Sequence, residues 1–152
     1  RRTAIVSIGV PSVSRFQKEV SKGYYNSVYY VLDKDATATQ ISNIAREIGA
    51  FDQVIVDIHD SRSRPGNNIP LNDGLKAFIK DLSTKNAIFA LFANPYNLAG
   101  LPGLENSKGL IVGYQKEDYM QVSAAAVINN RLVPSGKLPV SILPNFKFGD
   151  GL

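Results

Sequence analysis

Ala87-Ile88-Phe89-Ala90-Leu91-Phe92 is an unbroken apolar run, and Ala93-Asn94-Pro95-Tyr96 follows it directly. Asn-Pro ends the run, because the residue before a proline is held in an extended or turn geometry. The run reads as a strand. Its lack of polar alternation places it in the middle of a sheet that is covered on both faces. Upstream, Gln53-Val54-Ile55-Val56-Asp57-Ile58-His59 is a second such strand, rich in β-branched residues. A polar loop, Asp60 to Asn68, leaves it through the turn pair Pro65-Gly66. A helix from about Leu71 to Leu82 then sets Leu75, Phe78, Ile79 and Leu82 on one face.

The same alternation extends in both directions. Thr3–Ile8 is a short buried strand closed by Gly9 and Pro11. Ser14 and Gln17 have capping-box spacing, with Phe16 and Val20 sharing the face of a helix that Gly23 ends. Ser27–Val31 is a strand. Thr37 and Gln40 repeat the capping spacing ahead of Ile41, Ile44, Ala45 and Ile48. Beyond the Ala93–Asn106 loop come the strand Gly109–Val112 and a helix from Glu117 to about Asn129, lined by Tyr119, Val122, Ala126 and Val127. Gly136-Lys137-Leu138-Pro139-Val140-Ser141-Ile142 closes the series, and Pro139 confines it to an edge strand or an arm. Strand–helix alternation of this kind predicts an α/β fold: three layers, doubly wound, a mainly parallel sheet of the flavodoxin-like kind, with residues 1–152 as a single domain. Function in such sheets gathers at the carboxyl ends of the strands. Here these ends are Gly9–Ser14, Asp60–Asn68, Ala93–Asn106 and Gly113–Lys116.

Composition excludes several classes. There is no cysteine, hence no disulfide and no thiolate metal site. His59 is the sole histidine, which rules out zinc sites built on several histidines. The net charge of +4 is scattered, and Arg62-Ser63-Arg64 is the densest basic stretch, with no aromatic beside it, so no nucleic-acid partner is expected. No apolar run is long enough to span a membrane. The chain starts at Arg1 and its one methionine is Met120, so the natural protein is expected to begin upstream.

Tests of specific chemistry are mostly negative. Gly9-Val10-Pro11-Ser12 lacks the glycine spacing of either phosphate-binding loop, so no nucleotide cofactor is expected. Asp57 and His59 share a strand face, but Ser61 does not occupy a nucleophile elbow. His59 reads as a structural or interface histidine ahead of a catalytic one. Glu117-Asp118 suits the start of a helix. Glycosidases need two carboxyl groups held across the scissile bond, and Glu105 is the remaining loop candidate. Ala93-Asn94-Pro95-Tyr96-Asn97-Leu98 delivers an aromatic ring and two amides to the carboxyl edge, where they would line a sugar site or pack on a neighbouring domain.

Taken in order, Thr3–Gly9, Phe89–Tyr96, Gly109–Tyr114 with its Ala-rich helix, Gly136–Ile142 and Phe148–Leu152 resemble the C-terminal α/β sandwich domain of glycoside hydrolase family 3. Asn94-Pro95-Tyr96 and Gly136–Ser141 are the most specific pieces, and the flavour is that of bacterial β-N-acetylglucosaminidase-like members. The resemblance implies a catalytic (β/α)8 barrel ahead of this domain in the parent chain, carrying the aspartate nucleophile and a His–Asp acid/base pair. No catalytic residue transfers to this sequence, so the isolated domain is expected to be inactive. In the β-glucosidase branch an acid/base glutamate comes from the second domain, and Glu105 is nearest by region, without a motif to fix it. His59, Asp60, Arg62, Asn94, Tyr96 and Glu105 are the candidates for a substrate rim or domain interface. The partners implied are the barrel and carbohydrate, in a periplasmic or secreted setting ahead of a cytoplasmic one. A non-enzymatic glycan-binding or assembly module is the rival reading, and a stand-alone hydrolase using His59 is a third.

Overall fold

The computed structural model describes residues 2–114 and 117–129 and the strand Ser141–Ile142. In chain order the elements are β1 (Thr3–Ile8), α1 (Arg15–Val20), β2 (Ser27–Leu32), α2 (Ala38–Ile48), β3 (Gln53–His59), α3 (Asp73–Ser83), β4 (Ala87–Phe92), β5 (Gly109–Val112), α4 (Asp118–Ile128) and β6 (Ser141–Ile142). They build one sheet of order β2-β1-β3-β4-β5-β6. β1 to β5 are parallel, and β6 runs antiparallel at the edge beside β5. This is the flavodoxin-like order, with β3 and β4 in the middle as their apolar runs predict. Ser141–Ile142 is the expected edge strand. Gly136 to Val140 and the closing Phe148–Leu152 lie outside the described residues.

Strand side chains alternate between two cores. Ala4, Val6, Ile8, Val54, Val56, Ile58, Phe89 and Leu91 face α2, α3 and the β4–β5 crossover. Ile5, Ile55, Ile88, Ala90, Phe92 and Ile111 face α1 and α4. Burial on both faces explains why apolar residues follow one another along these strands instead of alternating with exposed polar ones. Both capping boxes form as the spacing predicts: Ser14 and Gln17 start α1, and Thr37 and Gln40 start α2. The helix expected from about Leu71 begins at Asp73 instead, because the Asn72 side chain caps it by accepting from Leu75 N–H.

One expected face is wrong. Tyr119 does not line the inside of α4; it is 57% exposed, and Val122 and Ala126 are half-buried. Met120, Ala124, Val127 and Ile128 are the residues turned inward. α4 is apolar nearly all round, so periodicity could not select its buried side.

Candidate functional site

β1 and β3 are neighbours, yet the crossovers that follow them leave on opposite faces of the sheet. Their carboxyl ends therefore form the switch point at which open α/β sheets bind ligands. In this chain a buried polar cluster fills that place. Ser7 and Asp57 lie side by side in register. The Ser7 hydroxyl is 2.5 Å from Asp57 Oδ2, the Ser14 hydroxyl is 2.7 Å from the same oxygen, and His59 Nε2 is 2.6 Å from it. All four residues are buried. The Phe92 ring stacks on the imidazole at 5.0 Å between centroids, fixing its plane. Ser14 is also the N-cap of α1, so the cluster ties β1, β3 and α1 together.

The order of this network decides its chemistry. In a hydrolase triad the imidazole stands between the nucleophilic hydroxyl and the carboxylate, so that it can take the hydroxyl proton. Here the carboxyl group is the hub, and both hydroxyls and the imidazole bond to it. No hydroxyl among the described residues bonds to His59, so the arrangement makes no serine–histidine pair. A phosphate brought to the same place would meet the Asp57 carboxyl group rather than free backbone N–H groups.

The next residues form a second cluster. Asp60 is buried and takes Arg62 Nε at 2.9 Å and Nη2 at 2.7 Å in a bidentate pair. Burial alone would raise the Asp60 carboxyl pKa, but hydrogen bonds from the Arg62 side chain and backbone, its charge, and the Gly66 N–H outweigh this and hold it below the ordinary value. The same bonds push the Arg62 guanidinium up. A depressed carboxyl pKa contributes stability above the ordinary aspartate range and loses it as pH falls through the folded value. The stability difference between wild type and Asp60→Asn should therefore stay constant above about pH 5 and shrink below about pH 4. Thermal unfolding across that range checks this; a difference that does not change down to the acid limit would contradict it.

Asn97, the second amide of the Ala93–Leu98 segment, is buried rather than presented outward and joins two loops. Its Oδ1 accepts from Ile69 N–H at 2.7 Å, and its Nδ2 donates to the carbonyls of Gly66 at 3.0 Å and Asn94 at 2.8 Å. The loops after β3 and β4 thus meet at one edge. Asn94 is extended, as the following proline requires, and its side chain caps the short 3-10 helix Pro95–Gly100. That helix holds Tyr96 outward, 74% exposed. Tyr114, after β5, and Tyr119, at the start of α4, add two more exposed tyrosines to this edge, Tyr114 with a left-handed backbone (φ 62°).

The six candidates do not form one group. His59 and Asp60 are buried, Arg62 and Asn94 half-buried, and Tyr96 and Glu105 exposed. Glu105 is a correction. Only the first part of the Ala93–Asn106 segment, through Asn97, stands on the carboxyl edge; the rest is the β4–β5 crossover, built from 3-10 turns and apolar anchors at Leu101 and Leu104. Gly103 packs against Ser83, the last residue of α3, which lies at the amino-terminal edge just ahead of β4. Glu105 therefore belongs to the end of the sheet away from His59 and Tyr96. A hollow of about 290 Å³ opens at that amino-terminal edge between Ile48, Phe51, Asp52, Gln53, Leu82 and Lys85. Asp52 is the one carboxyl side chain in its lining, short of the two that glycoside cleavage uses. Among the described residues no three acidic or histidine side chains converge as a metal site, and no helix is long and apolar enough to cross a membrane.

A solved enzyme shares this fold. It is a glycoside hydrolase family 3 β-N-acetylglucosaminidase from Paenibacillus sp. str. FPU-7, similar with a TM-score of 0.68 and 17% sequence identity. The likeness covers 91% of this chain and 27% of that one, so this chain spans about a quarter of the enzyme's length. No family model and no curated protein matches the sequence. At this identity the common property is the α/β architecture.

Proposed function

We propose that this chain is an accessory domain of a glycoside hydrolase of the β-N-acetylglucosaminidase or β-glucosidase kind. In this reading it packs on, and completes the rim of, a catalytic barrel that it does not itself contain. The carrying observation is the fold likeness, which takes in nearly all of this chain and only 27% of the neighbouring enzyme. The serine–aspartate–histidine hub adds support, because its two hydroxyls are buried against Asp57 and neither bonds to His59, so the order of a hydrolase triad is missing. Asp60, Arg62, Asn94 and Tyr96 then serve as the face toward the barrel, with His59 behind them as a buried support.

Two observations test this. The gene around this segment should continue in frame into a barrel-encoding stretch; a start and a stop codon bounding these residues would end the proposal. The chain alone should give no turnover of an aryl N-acetyl-β-glucosaminide. Turnover abolished by His59→Ala or Glu105→Gln would reverse the assignment in favour of a stand-alone hydrolase.

The exposed Tyr96, Tyr114 and Tyr119 favour a second reading, a glycan-binding or assembly module, since sugar rings stack on tyrosine faces. Calorimetry with N-acetylglucosamine separates the two. Binding by the chain alone, lost in Tyr96→Ala, supports the module.

A further inference from the structure

The parallel sheet ends at β2, which among the described residues has no partner on its outer side. Backbone parity shows what that side offers. Thr3 N–H donates to Asn26 C=O at 2.9 Å, and Gly9 N–H donates to Leu32 C=O at 2.8 Å. In a parallel ladder the bonded positions recur at every second residue, so Val28, Tyr30 and Leu32 turn their backbone groups toward β1. Ser27, Tyr29 and Val31 turn theirs outward.

This edge lacks the usual protection. Exposed edge strands carry a charge, a proline or a bulge to prevent pairing with another chain. From Tyr24 to Leu32 there is no charged residue and no proline. Tyr25 is fully exposed, and Val28 and Tyr29 are 40% and 38% exposed. At the opposite end of the sheet, β6 is paired with the outer side of β5.

We infer that the β2 edge pairs with the β2 edge of a second copy of this chain, antiparallel about a two-fold axis perpendicular to the sheet. Such an axis keeps each side chain on its own face, so the pairing must centre on a residue. Centred on Tyr29, it sets the two Tyr29 residues opposite each other and Ser27 opposite Val31. Every outward N–H then meets an outward carbonyl, and Val28 faces Tyr30 of the second copy. Net charge agrees with this arrangement. Lys18–Lys22, ahead of the strand, holds two lysines and Glu19, with Lys22 already paired to Glu19, and Asp33–Asp35, after it, holds two aspartates and Lys34, with Asp35 already paired to Lys34. Antiparallel pairing brings these residual charges of opposite sign together, whereas parallel pairing would join like ends. The interface is closed and self-complementary. It is also small, below about 1,200 Å² in total, so the dissociation constant belongs in the range of about 1 to 100 μM.

Sedimentation velocity across that range tests the inference on the whole chain. Wild type should pass from monomer to dimer. Tyr29→Pro removes an outward N–H and none of the β1 ladder, a position where an edge strand tolerates proline. Val28→Lys adds a charge at an exposed side chain without touching the backbone, so it stays informative if the proline disturbs β2. Each should raise the dissociation constant at least about tenfold while far-UV circular dichroism is unchanged. Wild type that stays monomeric throughout would overturn the inference and leave the edge to another part of a longer protein. A dimer that Val28→Lys leaves as tight as wild type would overturn it too.

Discussion

Replacing Asp57 with alanine is expected to destabilise the fold by about 3–5 kcal/mol, the range for removing one partner from a buried polar pair. The Ser7 and Ser14 hydroxyls and His59 Nε2 all converge on Asp57 Oδ2. Without that oxygen two buried hydroxyls and the imidazole lose their shared partner together, and each stranded group costs about 1–3 kcal/mol. The loss is below the simple total because Ser7 Oγ and Ser14 Oγ lie 3.0 Å apart and can bond to each other. For a chain of this size the expected fall in melting temperature is on the order of 10 °C. Ser7→Ala should cost only about 1 kcal/mol, since Asp57 keeps two donors. Urea unfolding of both variants measures the difference. A loss below about 1 kcal/mol for Asp57→Ala would show that the hub does not hold the sheet to α1.

That expectation bears on function as well as stability. A switch point filled by the protein's own side chains, with a carboxyl group at its centre, is a poor seat for a nucleotide. It leaves ligand or partner contact to the loops above it. The Asn97 bonds fasten those loops to each other, and Phe92 fixes the ring below them. The carboxyl edge is thereby a surface in which the loops after β3 and β4 are fastened together.

The sheet was legible because buried parallel strands are apolar along most of their length. Ala87–Phe92 is wholly apolar, Gln53–His59 carries Val54, Ile55, Val56 and Ile58, and both sit in the middle. Ser7 and Asp57 break two such runs, and a polar residue inside a buried strand is the signal from which their contact could have been found. Strand register was still needed to bring them together, and the position of Ser14 depended on the turn after Gly9. Asn97 reads in sequence as an amide presented by its loop, since nothing in Pro-Tyr-Asn-Leu separates a buried amide from an exposed one. Glu105 was misplaced for a different reason. A crossover without an α-helix looks like one loop in sequence, and the distance it travels across the sheet appears only when its leucines find their core. The buried face of α4 was hidden because alanine and valine surround the helix.

Gly9→Ala should be the other severe substitution, costing about 3 kcal/mol or more. Gly9 has φ +95°, a conformation that a residue with a side chain rarely adopts. A Cβ there would stand 2.3 Å from the His59 carbonyl oxygen, which is β3 backbone and cannot rotate away. Gly9 N–H is already 2.8 Å from Leu32 C=O, so the residue cannot retreat toward β2 without compressing that bond into a clash. Relief requires β1 and β3 to part at their carboxyl ends, which pulls Ser7 away from Asp57. Gly100→Ala is the matched control, with nothing within 4 Å of its added carbon. It should be neutral or slightly stabilising through the unfolded chain. Thermal unfolding of the pair checks the contrast, and the His59 ring signals by NMR should shift in Gly9→Ala alone. Equal stability of the two variants would mean that the close approach of Gly9 to β3 is not needed to shape the switch point.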